Sequence, residues 1–85
     1  MIEFDKLEQG KIYFIAYGEN TQVLARFKEI ELRNLVFFDH LHYWNGFESF
    51  RKGGHSVMSG ITELRRATKP EIHAIVRHEI DNGCL

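Results

Sequence analysis

The stretch ITELRRATKPEIHAIVRHEI, residues 61–80, joins a short apolar strand to an amphipathic helix. Thr68 and Glu71 have the three-residue spacing of a capping box, in which each side chain satisfies a backbone N–H of the first turn. Pro70 fits the same turn, where no helical hydrogen bond needs its missing N–H. The sequence therefore predicts a strand over 61–64 and a helix over 69–81.

The predicted helix has a single apolar stripe. Its members are Ile72, Ile75, Val76 and Ile80, at positions i, i+3, i+4 and i+8. A short helix depends on such a stripe packing against another element. We expect the stripe to dock on the preceding residues, which have the pattern of short strands.

Four strands are predicted before this stretch, over residues 11–17, 21–32, 35–43 and 47–50. The first and third are rich in β-branched and aromatic residues, and Asn45-Gly46 is a strong hairpin signal. The segment 51–60 holds three of the seven glycines and is predicted to be the longest loop.

The second predicted strand changes its apolar phase. Val23, Ala25 and Phe27 share one parity, whereas Ile30 and Leu32 have the other, with Lys28-Glu29 between them. A strand that keeps its apolar side chains inward through such a change needs a bulge or a sharp bend. Strongly bent strands of this kind are typical of small curled barrels.

Five short strands followed by a helix indicate a mainly β, α+β fold. We predict a small five-stranded antiparallel SH3-like partly open barrel with a C-terminal α-helix that caps one end. A flatter antiparallel sheet with the helix across one face is the alternative. The sequence contains no repeat or linker, so residues 1–85 are predicted to form a single domain.

Composition limits the classes of partner. Eleven Lys+Arg against twelve Asp+Glu give a net charge of −1, so the whole surface is not expected to attract nucleic acid or anionic lipid. Cys84 is the single cysteine, which excludes an internal disulfide. No basic and apolar leader begins the sequence, and no apolar run approaches the roughly 18 residues of a membrane span. We expect a soluble, cytoplasmic protein without a membrane partner.

The helix junction ELRRATKPEI, residues 63–72, is preceded by GKIYFI at 10–15 and RFKEI at 26–30. Together they resemble a group of small uncharacterised proteins from phage, prophage and other mobile-element genomes, in which a curled sheet leads through an LRxATxxE signature into one amphipathic helix. The resemblance covers most of the chain in layout and is specific in residues only at the junction. It implies a cytoplasmic accessory protein in the host cell, and it implies no reaction and no site residues. The early helix end near 81–83 and the basic, glycine-rich start of 51–60 depart from the group.

The segment RKGGHS, residues 51–56, is the first candidate site. Arg51 and Lys52, followed by two glycines and His55, could present positive charge and backbone N–H groups to a phosphate. The segment lacks the spacing of a nucleotide-binding loop, and a solvated hairpin connection is the simpler interpretation. Arg65 and Arg66 could join it in a basic patch.

Aromatic residues could complete that patch, since Tyr43 and Trp44 are available as stacking surfaces for bases. An 85-residue domain, however, needs most of its aromatic residues in the core.

Histidines offer a second candidate site. His40 and His42 are two residues apart on a predicted strand, so both leave the same face, and His55 could supply a third metal ligand. Solvent-facing histidines are the simpler interpretation, and we predict no metal and no cofactor. No Ser/His/Asp or Cys/His set has a recognisable context, so we predict no enzymatic activity.

These observations lead to two hypotheses. The first is a non-enzymatic protein-interaction module of mobile-element origin that binds a host or phage protein, with inhibition of a host defence system as one form. Self-association is a natural by-product, because the first and third strands are apolar on both faces. The alternative is a nucleic-acid or nucleotide-binding small barrel that uses residues 51–56 with Arg65 and Arg66.

Overall fold

The computed structural model describes residues 1–84. Its elements are β1 (Ile12–Tyr17), β2 (Thr21–Glu31), β3 (Asn34–Trp44), β4 (Phe47–Val57), β5 (Glu63–Arg66) and α1 (Lys69–Asp81), with a 3-10 turn at Phe4–Lys6. Within this range the chain is a small, mainly β domain of five antiparallel strands and a C-terminal helix, and the predicted fold class is confirmed.

The five strands form one sheet in the order β4-β3-β2-β1-β5. Tyr17 on β1 donates a hydrogen bond to the carbonyl oxygen of Val57 on β4 at 2.7 Å, and its hydroxyl also contacts the Ser56 hydroxyl. In a flat sheet, strands three places apart would be separated by about 14 Å. The sheet is therefore curled, and Tyr17 crosses its inner face.

Each face of the curled sheet carries its own apolar cluster. The inner cluster comprises Tyr13, Ile15, Val23, Ala25, Phe27, Leu35, Phe37 and Leu64 and is covered at its rim by Ile2, Phe4, Leu7, Met58 and Ile61. The outer cluster comprises Ile12, Leu24, Leu41 and Ile75. Because Ile75 belongs to α1, the helix lies across the outer face, as in the alternative arrangement above, and does not cap an end.

The predicted bulge in the second strand is confirmed. The register between β2 and β3 shifts on both sides of Phe27, so that Lys28 is an extra residue in β2 and Phe38 is an extra residue in β3. The second bulge explains why Phe37 packs in the inner cluster while Leu41, of the same parity, packs in the outer one.

The predicted loop at 51–60 is wrong over most of its length. Residues 51–57 belong to β4, which pairs with β3 from Phe47 opposite Trp44 to Val57 opposite Asn34. Gly53 and Gly54 have φ angles of 65° and 139°, so they distort the strand without ending it. The long pairing with β3 outweighs the local preference of glycine for a turn.

The last strand lies two residues later than predicted, at Glu63–Arg66. Ile61 packs at the rim of the inner cluster, and Thr62 donates from its backbone N–H to the carbonyl oxygen of Ala16 at 2.8 Å. These two residues therefore lead into β5 and lie before its ladder with β1.

The helix has the predicted bounds, Lys69–Asp81, and its capping box is formed, with the Thr68 backbone N–H donating to Oε1 of Glu71 at 2.8 Å. The predicted stripe is wrong at its end, because Ile80 is 60 % exposed while Glu79 is fully buried. At about 100° per residue, Glu79 lies about 20° from Ile72 around the axis and Ile80 about 80° away.

Among residues 1–84, no helix is long and apolar enough to cross a bilayer.

Candidate functional site

The four predicted basic site residues lie at opposite edges of the sheet. Arg51 and Lys52 are on β4, whereas Arg65 and Arg66 are on β5, and β4 and β5 are the first and last strands of the sheet order. The structure therefore does not unite the four side chains in one patch.

The two arginines of β5 are engaged within the fold. Arg65 donates to both carboxylate oxygens of Glu71, at 2.8 and 3.0 Å, and its guanidinium lies 4.0 Å from the centre of the Phe14 ring. These hydrogen bonds lower the pKa of Glu71 to about 2. Arg66 pairs with Glu8 at 3.3 Å. Both arginines thus have roles at the helix junction and the amino-terminal segment.

The two predicted aromatic site residues also separate. Tyr43 is half-buried and lines a cavity of about 310 Å³ between the sheet and the start of α1, with Phe14, Leu24, Pro70 and Ala74 among its other walls. Burial raises the pKa of the Tyr43 hydroxyl. Trp44, the next residue, leaves the opposite face of β3 and is 57 % exposed.

Trp44 has an exposed aromatic partner, Phe47, which is not among the predicted site residues. Phe47 lies opposite Trp44 across the Asn45-Gly46 turn and is 73 % exposed. The Asn45-Gly46 hairpin signal predicts this pair, because a two-residue turn places the residues on its two sides opposite each other.

A groove of about 520 Å³ lies along β3 and β4, next to this aromatic pair. Its walls are His40, His42 and residues 51–55. His40 is opposite Arg51, and His42 is opposite Ser49. No ion pair within residues 1–84 includes Arg51 or Lys52. By strand alternation, Arg51 leaves β4 on the groove side together with Phe47, whereas Lys52 leaves the other face and lines the groove at its edge.

His40 forms the inner wall of the groove. Its Nδ1 is buried and has no hydrogen-bond partner in the part of the chain that the structure describes. Burial lowers the pKa of His40, and the neighbouring His42, Arg51 and His55 act in the same direction. These effects favour the neutral form of the His40 imidazole, and the positive charge at the groove comes from Arg51, with Lys52 at its edge.

The hypothesis of a metal site receives no structural support. Although His40, His42 and His55 line one groove, no three His, Cys, Asp or Glu side chains among residues 1–84 are close enough to hold a metal ion.

A second polar cluster lies buried under the helix. Arg26 of β2 binds the fully buried carboxylate of Glu79, and Asp39 of β3 lies opposite Arg26 in the sheet. Burial raises the pKa of Asp39, and a hydrogen bond with Glu79 adds to this rise. Burial acts to raise the pKa of Glu79 as well, but its bonds to Arg26 and Asp39 hold it below the usual value. This cluster joins the helix to the sheet.

Comparisons with known proteins do not assign the chain to a family. No family model matches it, and no match was found among curated proteins or among solved structures. The resemblance to phage and prophage proteins stays a prediction that depends on residues 63–72.

Proposed function

We propose that this chain is a non-enzymatic protein-interaction module. Its contact surface, here called the hairpin surface, comprises Trp44, Phe47 and Arg51 on one face of the hairpin, together with Lys52, which leaves the other face of the same edge strand. The observation that carries the proposal is the combination of two strongly exposed aromatic side chains with two cations that are unpaired within residues 1–84. Tryptophan and arginine are enriched among the residues that contribute most to protein interfaces.

The charge of the hairpin surface indicates the kind of partner. Arg51 and Lys52 attract a protein surface with carboxylates, while Trp44 and Phe47 supply apolar area that is released from water on binding. The partner is therefore an acidic protein surface with an apolar contact at its centre.

The resemblance of residues 63–72 to phage and prophage proteins suggests where the partner protein comes from. A protein of a phage or prophage works beside both host and phage proteins, so either can supply the acidic surface. Inhibition of a host defence system is one form of this proposal, in which the hairpin surface covers a working surface of the defence protein.

The test compares capture by the wild-type chain with capture by the double variant Trp44→Ser/Phe47→Ser. Ile80→Ser is the matched control, because Ile80 is 60 % exposed, belongs to α1 and is not part of the hairpin surface. Lysate of infected or lysogenic cells is divided, and half is treated with nuclease. We expect one protein to be retained by the wild type and by Ile80→Ser, with or without nuclease, and to be lost by the double variant. Equal retention by all three chains would overturn the proposal.

Nucleic-acid binding is the second candidate. Exposed aromatic rings beside unpaired cations are also the elements of a single-strand binding surface, although Arg65 and Arg66 lie at the far edge and are ion-paired. Binding of a labelled single-stranded oligonucleotide would then weaken steeply with added salt, and Arg51→Ala would reduce the slope. Such a result, together with loss of the captured protein after nuclease treatment, would put nucleic acid in place of the protein partner.

A further inference from the structure

β4 is an edge strand with open backbone groups. Among residues 1–84 it pairs with β3 alone. The two-residue turn has positive φ at Asn45 and Gly46, 48° and 83°, as in a type I′ hairpin, where the flanking Trp44 and Phe47 bond to each other. Hydrogen bonding then alternates along the strand. The backbone N–H and C=O groups of Glu48, Phe50 and Lys52 therefore point away from β3.

We propose that two copies of the chain associate through β4, strand against antiparallel strand, about a two-fold axis at Phe50. In this register, Phe50 faces Phe50 of the second copy, and Glu48 faces Lys52 of the second copy. The symmetry repeats the second pair in the opposite direction, so that the interface contains two carboxylate–ammonium pairs around one aromatic pair.

Charge selects this register among the antiparallel alternatives. Residues whose backbone groups point away from β3 must face residues of the same kind in the second copy. The two-fold axis therefore passes through a residue and not between two residues. An axis at Arg51 places two arginines opposite each other, and an axis at Lys52 does the same with two lysines. An axis at Ser49 places Glu48 opposite Phe50. The register centred on Phe50 pairs opposite charges directly and opposes no like charges.

The same register accounts for the most exposed aromatic residue of the hairpin. Phe47 is 73 % exposed, and in the dimer it faces Gly53 of the second copy. An aromatic ring opposite a glycine covers the backbone that the glycine leaves bare, and this pairing is a recognised way to stabilise glycines in sheets. Phe50 also stacks on His78 of α1, at 5.5 Å between ring centres, so its ring is held in place at the axis.

The distorted part of β4 limits the length of the contact. Gly53 and Gly54, with φ angles of 65° and 139°, interrupt the regular edge after Lys52. Charged residues and irregular backbone usually protect an edge from indiscriminate pairing. Here they leave residues 47–53 as the paired segment and make other registers unfavourable.

This dimer does not depend on the proposed function. Ser49 and Arg51 leave β4 on the side of the groove, so the two grooves come to lie next to each other across the axis. In the dimer, Phe47 and Lys52 contact the second copy, and Trp44 and Arg51 of each copy stay available to a partner. Partner capture can succeed with a monomer, so failure of the dimer and failure of the proposed function are separate results.

The experiment uses two charge variants, Glu48→Lys and Lys52→Glu, alone and mixed. Each variant alone places like charges opposite each other at two positions, which should weaken dimerisation about tenfold or more. In an equimolar mixture, the lysine introduced at position 48 faces the glutamate introduced at position 52, and the native Glu48 and Lys52 face each other. Sedimentation equilibrium should give twice the 10.0 kDa chain mass for the wild type and for the mixture, and less for each variant alone. Glu19→Lys, in the exposed turn before β2, is the control and should behave as wild type.

A second measurement needs no variant. Amide hydrogen exchange of the wild type should slow at Glu48, Phe50 and Lys52 as protein concentration rises, while the inward amides of Ser49 and Arg51 stay protected at all concentrations. If the wild type keeps the mass of one chain up to about 1 mM, the proposal is overturned, because association weaker than this would be very weak. A mixture no larger than the single variants, or exchange independent of concentration, would also overturn it.

Discussion

Arg26 and Glu79 form a two-pronged ion pair that ties the helix to the sheet. Nε and Nη2 of Arg26 each donate to one carboxylate oxygen of Glu79 at 2.8 Å, and Nη1 donates to the carbonyl oxygen of Gly10 at 2.9 Å. Glu79 is fully buried. One guanidinium therefore connects β2, the helix and the segment before β1.

Removal of one partner from this pair should be strongly destabilising. Arg26→Ala leaves the Glu79 carboxylate buried without its counter-charge, and we expect a loss of about 3 to 5 kcal/mol in the free energy of unfolding. Urea denaturation at neutral pH measures it. Arg66→Ala is the control, because the pair of Arg66 with Glu8 is exposed and should contribute no more than about 1 kcal/mol. Equal losses in the two variants would contradict this account.

Asp39 should make stability depend on pH in an unusual direction. Burial, followed by the neighbouring Glu79, raises the pKa of Asp39 above its usual value of 3.8. A carboxyl with a raised pKa in the folded state contributes stability while protonated, and this contribution is lost as pH rises through the folded-state pKa. Asp39→Asn cannot lose a proton, so its stability relative to wild type should increase as pH rises above about 4.

The check on Asp39 is thermal unfolding of both chains from about pH 3 to pH 7, a range that spans the usual carboxyl pKa values. We expect the melting temperature of Asp39→Asn to equal or fall below that of wild type at the acid end and to exceed it at neutral pH. Parallel curves would show that the ionised Asp39 is fully compensated by Arg26.

The helix should depend on Ile75 and not on Ile80. Ile75 is fully buried in the outer cluster, whereas Ile80 is 60 % exposed. Ile75→Ala should lower the free energy of unfolding by about 2 to 4 kcal/mol, and Ile80→Ala should change it by less than about 0.5 kcal/mol. Chemical denaturation of the two variants measures both values. A negligible effect of Ile75→Ala would mean that α1 is not docked on Leu24 and Leu41.

The features that the sequence predicted well depend on local chemistry. The capping box at Thr68 and Glu71 fixes the helix start within one turn, and the change of phase after Phe27 marks the position of the bulge, although Ile30 and Leu32 are exposed and do not turn inward. The buried Glu79 lies outside the predicted stripe, which contains apolar residues only. Its position follows from helix geometry once Arg26 is known to lie beneath it.

The features that the sequence predicted poorly depend on distant pairing. β4 continues through Gly53 and Gly54 because β3 offers an unbroken partner as far as Asn34, and no local pattern contains that information. The positions of the four predicted basic residues also depend on such pairing. Arg51 and Arg65 are both basic and near turns, but only the strand order shows that they occupy opposite edges.

Gly54 should be the least replaceable glycine of β4. An ideal Cβ at Gly54 would lie 2.5 Å from Cε1 and 2.8 Å from Nδ1 of His40, whereas one at Gly53 would have no neighbour nearer than 4.0 Å. Both residues have positive φ, so an alanine at either is strained. Gly54 differs from Gly53 in its contact with His40 and also in its φ of 139°, which lies outside the left-handed helical region that contains the 65° of Gly53.

Gly54→Ala should therefore cost about 1 to 3 kcal/mol more than Gly53→Ala in the free energy of unfolding, because the imidazole must leave its place. In a His40→Ala background the difference between the two glycine variants should shrink, since the clash is gone and only the difference in backbone strain is left. The displaced ring should also gain water, so NMR titration of Gly54→Ala should show the pKa of His40 returning upward toward its usual value of 6.5. An unchanged titration with an unchanged stability difference would mean that the ring does not pack on the strand, and that the inner wall of the groove is not formed by His40.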